Sequence, residues 1–126
     1  MSNVLRPIEV LVDDEGSDDG FFSVGFTFNS DVSCIPHNIG LCRDEFEDPG
    51  VVYIEPDDQI HGFKTKHASF SINDFILRIS LLDENRFYWD GSKEVSMQID
   101  PENLVGVEKC MRKIFDLGGR CCINRI

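Results

Sequence analysis

A run of alternating residues in the middle of the chain constrains the fold most. In residues 51–82, apolar side chains recur at every second position on either side of Asn73-Asp74. Side chains of a strand point alternately to its two faces, so this spacing predicts a β-hairpin with one buried face and a turn at Asn73-Asp74. The apolar positions are Ala68, Phe70 and Ile72 before the turn and Phe75, Leu77, Ile79 and Leu81 after it.

The N-terminal part of the chain predicts a second hairpin. Residues 8–12 and 22–28 alternate in the same way and flank Asp13–Gly20, a charged, glycine-containing stretch. Such a stretch is too polar to be buried, so it predicts an exposed acidic loop between two strands. Residues 29–50 lose the alternation, and we interpret them as an irregular connection with at most one short helical turn.

The C-terminal part predicts a meander followed by a helix. Arg86–Trp89 and residues 95–99 flank Asp90-Gly91, and this dipeptide favours a tight turn because both of its residues tolerate a positive φ. Asp100-Pro101 predicts a helix start, with the carboxylate capping free N–H groups, and Gly118-Gly119 predicts its end. The apolar stripe of this helix is Leu104, Val107, Met111, Ile114 and Phe115.

These segments together predict one α+β domain over residues 1–126. Its antiparallel β-sheet has about six strands, formed by the N-terminal hairpin and the C-terminal meander. One C-terminal α-helix packs its apolar stripe on that sheet.

The net charge of −11 is concentrated in the first half of the chain. Residues 1–60 hold 14 acidic and 2 basic residues, a net −12, whereas residues 61–126 hold 9 acidic and 10 basic residues, a net +1. Such a field repels nucleic acid and anionic membranes and accelerates encounter with a basic partner. We therefore expect neither nucleic acid nor membrane as a partner, although acidity also serves solubility alone.

Cysteine usage and the N-terminal sequence predict a cytoplasmic location. The chain has five cysteines, an odd number, and its first ten residues show neither a basic leader nor an apolar core typical of a signal peptide. No apolar run approaches the roughly 18 residues that a membrane span needs. These features are typical of a reduced, intracellular protein.

Metal-ligating residue types occur, but their spacing is incomplete. Cys34, His37 and Cys42, with His61 and His67 further on, form half of a zinc site at best. The acidic stretch Asp13–Gly20 lacks the glutamate that closes a helix-flanked calcium loop. We therefore expect no metal and no other cofactor.

The sequence also lacks a pattern that predicts catalysis. No cysteine is placed with a base and an oxyanion site, and with 23 carboxylates some acid pair always looks suitable. There is no glycine-rich phosphate loop, and Phe87-Tyr88-Trp89 is better explained by hairpin and core packing than by base stacking. We expect the protein not to be an enzyme.

The best candidate for a binding site is an acidic corner after a short strand. Tyr53 and Glu55 lie on that strand, and Pro56-Asp57-Asp58-Gln59 ends it with residues typical of turns. An exposed group of carboxylates and one amide can form charge-assisted hydrogen bonds to the basic groups of a partner. The alternative is a solvated turn without a binding role.

The same residues carry a resemblance to a known family. The run Tyr53-Ile54-Glu55-Pro56-Asp57-Asp58-Gln59, then Gly62-Phe63, then the hairpin Phe70–Ile79 resembles the immunity protein 10 family of bacterial polymorphic toxin systems. The resemblance implies an α+β protein that is made alongside a toxin, binds it and blocks it inside the producing cell or its kin.

The resemblance and the charge together suggest which residues meet the toxin. A basic, nuclease-like toxin would suit the acidic surface. The first candidate cluster is Tyr53, Glu55, Asp57, Asp58 and Gln59, and the second is Asp13, Asp14, Asp18 and Asp19. A generic intracellular protein-binding or scaffold domain is the alternative function, and an unrecognised small enzyme or metal protein is the third hypothesis. Monomer and homodimer both stay open, because an edge strand exposing Tyr53 or Phe21 would permit pairing and the charge would oppose it.

Overall fold

The computed structural model describes residues 4–13, 20–28, 36–48, 50–115 and 123–125 of the 126-residue chain. In this part of the chain, ten strands form two five-stranded sheets, and one α-helix precedes the last strand. The strands are β1 (Val4–Leu5), β2 (Glu9–Asp13), β3 (Phe21–Thr27), β4 (Asn38–Asp44), β5 (Val52–Pro56), β6 (Phe63–Thr65), β7 (Ala68–Asn73), β8 (Ile76–Leu81), β9 (Glu94–Gln98) and β10 (Ile123–Arg125). The helix α1 spans Pro101–Ile114.

Each sheet is built largely from neighbours along the chain. Sheet 1 has the order β2-β3-β4-β5-β6, and every pairing in it is antiparallel. Sheet 2 has the order β1-β9-β8-β7-β10, in which the central meander is antiparallel and the two edge strands pair in parallel. The α+β class with a single C-terminal helix is therefore confirmed, with more strands than the predicted six and with two sheets where one was expected.

One hydrophobic cluster joins both sheets and the helix. Each large apolar side chain buried there contributes about 1.5–3 kcal/mol relative to an exposed one, so the positions of these residues decide which face of each strand turns inward. The fully buried members include Phe26, Ile39, Leu41 and Ile54 of sheet 1, Phe70, Leu77, Ile79 and Met97 of sheet 2, and Met111 of the helix.

The helix packs on the inner side of sheet 1. It contacts β2, β3 and β4, and the Cys110 thiol lies 3.2 Å from the Ser23 carbonyl oxygen. Val107, Met111, Ile114 and Phe115 are buried, as the stripe predicts. On the opposite face of sheet 1, the described residues are exposed or half-buried.

The helix start differs from the prediction in one respect. Asp100 occupies the capping position, and Pro101 is the first helical residue, but the Asp100 side chain makes no capping hydrogen bond. Its backbone carbonyl oxygen instead accepts from the Asn103 N–H, at 2.9 Å. The predicted stop at Gly118-Gly119 lies outside the described residues. In the described part of the chain, α1 is the only α-helix, and with 14 residues it is too short to cross a membrane.

The prediction of an irregular connection over residues 29–50 is wrong for its second half. Asn38–Asp44 forms β4, the central strand of sheet 1. Ile39 and Leu41 are buried and alternate with Gly40 and Cys42, so a strand period is present. Glycine, asparagine and aspartate within it have low strand propensity, and packing overrides that propensity here.

Two turn predictions also need correction. The β7–β8 loop is Asp74-Phe75 and not Asn73-Asp74, because Asn73 pairs with Ile76 and both loop residues have positive φ, 53° and 64°. Phe75 is therefore exposed in the turn and does not belong to the buried face. Arg86–Trp89 was predicted to be a strand, but it lies in the loop between β8 and β9, which pair directly with each other. Within this loop, Phe87 donates its N–H to the Ser92 carbonyl oxygen.

Candidate functional site

The solvent side of sheet 1, here called the outer face, carries three of the nine predicted site residues, namely Asp13, Tyr53 and Glu55. Its residues alternate along each strand with buried ones such as Val24, Leu41 and Ile54, and the strand register places them side by side. They are Glu9, Leu11 and Asp13 on β2; Phe21, Ser23, Gly25 and Thr27 on β3; Asn38, Gly40, Cys42 and Asp44 on β4; Tyr53 and Glu55 on β5; and Lys64 on β6.

The outer face is anionic. It carries the carboxylates of Glu9, Asp13, Asp44 and Glu55 against the single ammonium group of Lys64. Lys64 forms an ion pair with Asp48 at 2.7 Å, and the hydrogen bond to that carboxylate raises the pKa of Lys64. Lys64, the cation on the outer face as defined above, is therefore already paired with Asp48 at the edge of the sheet.

Tyr53 and Glu55 form a fixed pair on β5. The Tyr53 hydroxyl donates to Glu55 Oε1 at 2.8 Å, and this hydrogen bond raises the pKa of Tyr53 above its ordinary value. The tyrosine ring lies over Gly62, where an added Cβ would come within 2.2 Å of the hydroxyl oxygen. Glycine at position 62 is therefore required for this placement of Tyr53.

Asp57 connects the acidic corner to the rest of the molecule. It has a φ of 62°, and its Oδ1 accepts from the backbone N–H groups of His37, at 2.6 Å, and Asn38, at 3.1 Å. Its Oδ2 accepts from the Tyr88 hydroxyl. Both oxygens of Asp57 are therefore engaged within the protein, and the residue fixes the corner against the start of β4.

The neighbouring residues complete the corner. Asp58 accepts from the Gln59 N–H at 2.6 Å and caps a 3₁₀ helix over Gln59–His61. The His61 ring stacks on Tyr88 with centroids 3.5 Å apart, and burial together with the hydrogen bond to Asp57 raises the pKa of Tyr88 to about 12. Asp58 and Gln59 are exposed and point the corner towards solvent.

The partners of these carboxylates are neutral groups. Within the described residues, Glu55, Asp57 and Asp58 accept hydrogen bonds from hydroxyl and backbone N–H groups, and none of the three forms an ion pair with lysine or arginine. Neutral donors orient a carboxylate without cancelling its charge. The corner therefore keeps its negative charge for interactions with other molecules.

The structure also brings part of the second predicted cluster to the same face. Asp13 lies in one row with Ser23, Cys42 and Tyr53, three strands away from Tyr53. At the usual strand spacing this separation is about 14 Å. Asp14, Asp18 and Asp19 lie outside the described residues.

Sequence reasoning missed a groove at the centre of the outer face. Its volume is about 460 Å³, and its floor is formed by small residues between Leu11 and Phe21 on one side and Tyr53 and Glu55 on the other. The floor residues are Ser23, Gly25, Gly40 and Cys42. The sequence feature that could have indicated the groove is a glycine in each of two strands, Gly25 and Gly40. It indicates a groove only when β3 and β4 are known to pair with these glycines side by side.

The zinc-ligating types do not meet in the described part of the chain. No group of three or more His, Cys, Asp and Glu side chains there is close enough to hold a metal ion, and Cys34 lies outside it. Burial raises the pKa of the Cys42 thiol, and the carboxylates of Glu55 and Asp44 add to the shift. Cys42 therefore stays a protonated thiol at neutral pH, which is a poor metal ligand and nucleophile.

Comparison with known proteins gives no match. No protein-family model, no curated protein and no solved structure matches the chain. The candidate site is therefore supported by its own geometry and charge.

Proposed function

We propose that this protein is an immunity protein that binds a cognate bacterial toxin through the outer face of sheet 1 and the adjoining corner Glu55–Gln59. Binding blocks the toxin in the cytoplasm of the producing cell, without catalysis. The observation that carries the proposal is the set of corner carboxylates held by neutral donors, whose charge is left for a partner. The resemblance of the same residues to immunity proteins supports it.

The charge distribution favours a basic toxin domain. Complementary charges accelerate association and exclude wrong partners, and a nuclease-like toxin with a basic substrate-binding surface is a partner of this kind. An inhibitor needs about 800 Å² of contact surface on its side. The outer face and the corner adjoin at Glu55, and strand pairing and the hydrogen bonds of Asp57 already hold them in place. Binding through residues that are fixed beforehand costs less conformational entropy.

Co-expression tests the proposal. The toxin gene is expected immediately upstream, and its product should stop the growth of cells unless this protein is present. Glu55→Lys with Asp58→Lys should abolish the rescue, whereas the matched control Glu84→Lys, an exposed acid outside the face, should preserve it. A scaffold domain, the alternative function, would use the same face for another basic partner.

Three results would contradict the proposal. The first is a genome in which no toxin gene adjoins this one. The second is a toxin that kills equally well when this protein is present, which would favour the scaffold alternative. The third is full rescue by the doubly charge-reversed variant, since that would place the contact elsewhere on the protein.

A further inference from the structure

Two glycines near the centre of sheet 1 are not required by the strand geometry or by packing against other described residues. Gly25 on β3 pairs directly with Gly40 on β4, in the middle of both strands. Glycine in a strand interior weakens the strand and often marks a bulge or a place where another molecule approaches closely. The register from Phe21↔Asp44 to Thr27↔Asn38 is continuous, so no bulge is present.

Packing inside the protein does not require these glycines either. A Cβ added to Gly25 meets no heavy atom of the described residues within 4 Å, and one added to Gly40 comes no closer than 4.0 Å, to the Glu55 carbonyl oxygen. Neither residue has a positive φ. By contrast, Gly62 is required by the Tyr53 ring. What Gly25 and Gly40 provide is therefore open space on the outer face.

The walls of this space are apolar and exposed. Leu11, on the edge strand β2, is 64% exposed, and Phe21, at the start of β3, is 37% exposed, while Tyr53 stands on β5 at the other side of the groove. Large apolar side chains in contact with solvent around a groove mark a place where a partner docks. Asp13 and Glu55 are the carboxylates among the groove's lining residues. Burial raises the pKa of Cys42 on the floor, and the charges of Glu55 and Asp44 add to that shift.

From these observations we infer that the groove over Gly25 and Gly40 holds one apolar side chain of the partner, from an extended or helical segment in which lysine or arginine flanks it. The apolar side chain contacts Leu11, Phe21 and Tyr53, and the flanking cations lie near Asp13 and Glu55. This inference rests on the proposed function, and it adds the chemistry of the segment that the protein recognises. The groove volume of about 460 Å³ is ample for one large side chain.

A direct test uses short synthetic peptides as probes. An acetylated and amidated peptide centred on Lys-Ser-Leu-Ser-Lys, whose lysines lie on the same side as the leucine when the peptide is extended, should shift the backbone amide resonances of Leu11, Gly25, Gly40 and Glu55 in an NMR titration. A peptide with Ala in place of Leu and one centred on Asp-Ser-Leu-Ser-Asp should produce at most a tenth of these shifts. Equal shifts with all three peptides, or shifts that avoid β3 and β4, would overturn the inference.

Filling the groove provides the second test. Gly25→Val adds a β-branched side chain to open space, so the protein should unfold at an equal or higher denaturant concentration while the peptide shifts and the affinity for the toxin fall about tenfold or more. Gly106→Ala is the matched control, because its Cβ also meets no described atom within 4 Å but lies on the helix, away from the groove. It should leave binding unchanged.

The outcomes separate this inference from the proposed function. Full toxin neutralisation by Gly25→Val would overturn the groove inference and leave the immunity function intact, whereas a wild-type protein that fails to neutralise the toxin contradicts the function itself. Sedimentation of the protein alone is the remaining control. A dimer that dissociates upon Gly25→Val would assign the groove to a second copy of the chain and overturn the inference.

Discussion

At the scale of single residues, Asp57 and Tyr88 show how the corner is fixed. Burial and the hydrogen bond to Asp57 raise the pKa of Tyr88 to about 12 from an ordinary value of 10.0. A phenol whose pKa is higher in the folded than in the unfolded state stabilises the fold fully below pH 10, and this contribution is lost as the pH rises through 12.

We therefore expect a specific alkaline titration. The chain has two tyrosines, so Tyr88 is the only phenol in the Tyr53→Phe variant. Its ultraviolet titration should have a midpoint near 12 in the folded protein and near 10 in denaturant. Asp57→Asn should lower the folded midpoint, because the hydrogen bond to a carboxylate is lost. A folded midpoint at the ordinary value would contradict the described contact.

A second residue-scale prediction concerns Gly62. In Gly62→Ala the new Cβ would lie 2.2 Å from the Tyr53 hydroxyl oxygen, so the ring must move and the bond to Glu55 should break. Loss of one such hydrogen bond lowers the free energy of unfolding by roughly 1 kcal/mol. Denaturant unfolding measures this, with Gly25→Ala as the control that should be no less stable than the wild type. Equal stability of Gly62→Ala and the wild type would argue against a fixed Tyr53.

At the scale of elements, the β7–β8 turn is a source of backbone strain. Phe75 is a bulky residue with a φ of 64° in a two-residue loop that usually holds glycine at this position, and the residue is 45% exposed. Phe75→Gly should raise the free energy of unfolding by about 1 kcal/mol relative to Phe75→Ala, which removes the ring but keeps the Cβ. Equal stabilities of the two variants in denaturant would show that the turn is not strained.

The elements also show how far the sequence predicts this fold. Apart from Phe75, the apolar alternation of Ala68–Leu81 and the helical stripe of α1 predict buried faces correctly, because each pattern is strong and local. β4 was not predicted, because glycine, asparagine and aspartate within it have low strand propensity. The groove was not predicted, because the pairing of Gly25 with Gly40 depends on the register of β3 against β4. The hydrogen bond from the His37 N–H to the Asp57 carboxylate joins residues that are 20 positions apart in the chain, so no local sequence pattern predicts it.

At the scale of the whole molecule, the position of the helix and the position of the negative charge are related, because they lie on opposite sides of sheet 1. The helix covers the inner side of sheet 1, and the carboxylates of Glu9, Asp13, Asp44 and Glu55 lie on its outer face. Negative charge on one face attracts basic molecules over a long range. Binding driven in this way weakens as salt increases, because ions screen the approach and the rim contacts. We propose that this face binds a basic toxin domain.

Calorimetric titration of the purified protein with the toxin domain encoded immediately upstream, at low and at high salt, tests that claim most directly. The account predicts tight binding that weakens with salt, and it predicts that Glu55→Lys with Asp58→Lys lowers the affinity about tenfold or more, or about 1.4 kcal/mol, and flattens the salt dependence. Glu84→Lys should behave as the wild type. An affinity and a salt dependence that are the same in the double variant and the wild type would contradict the account.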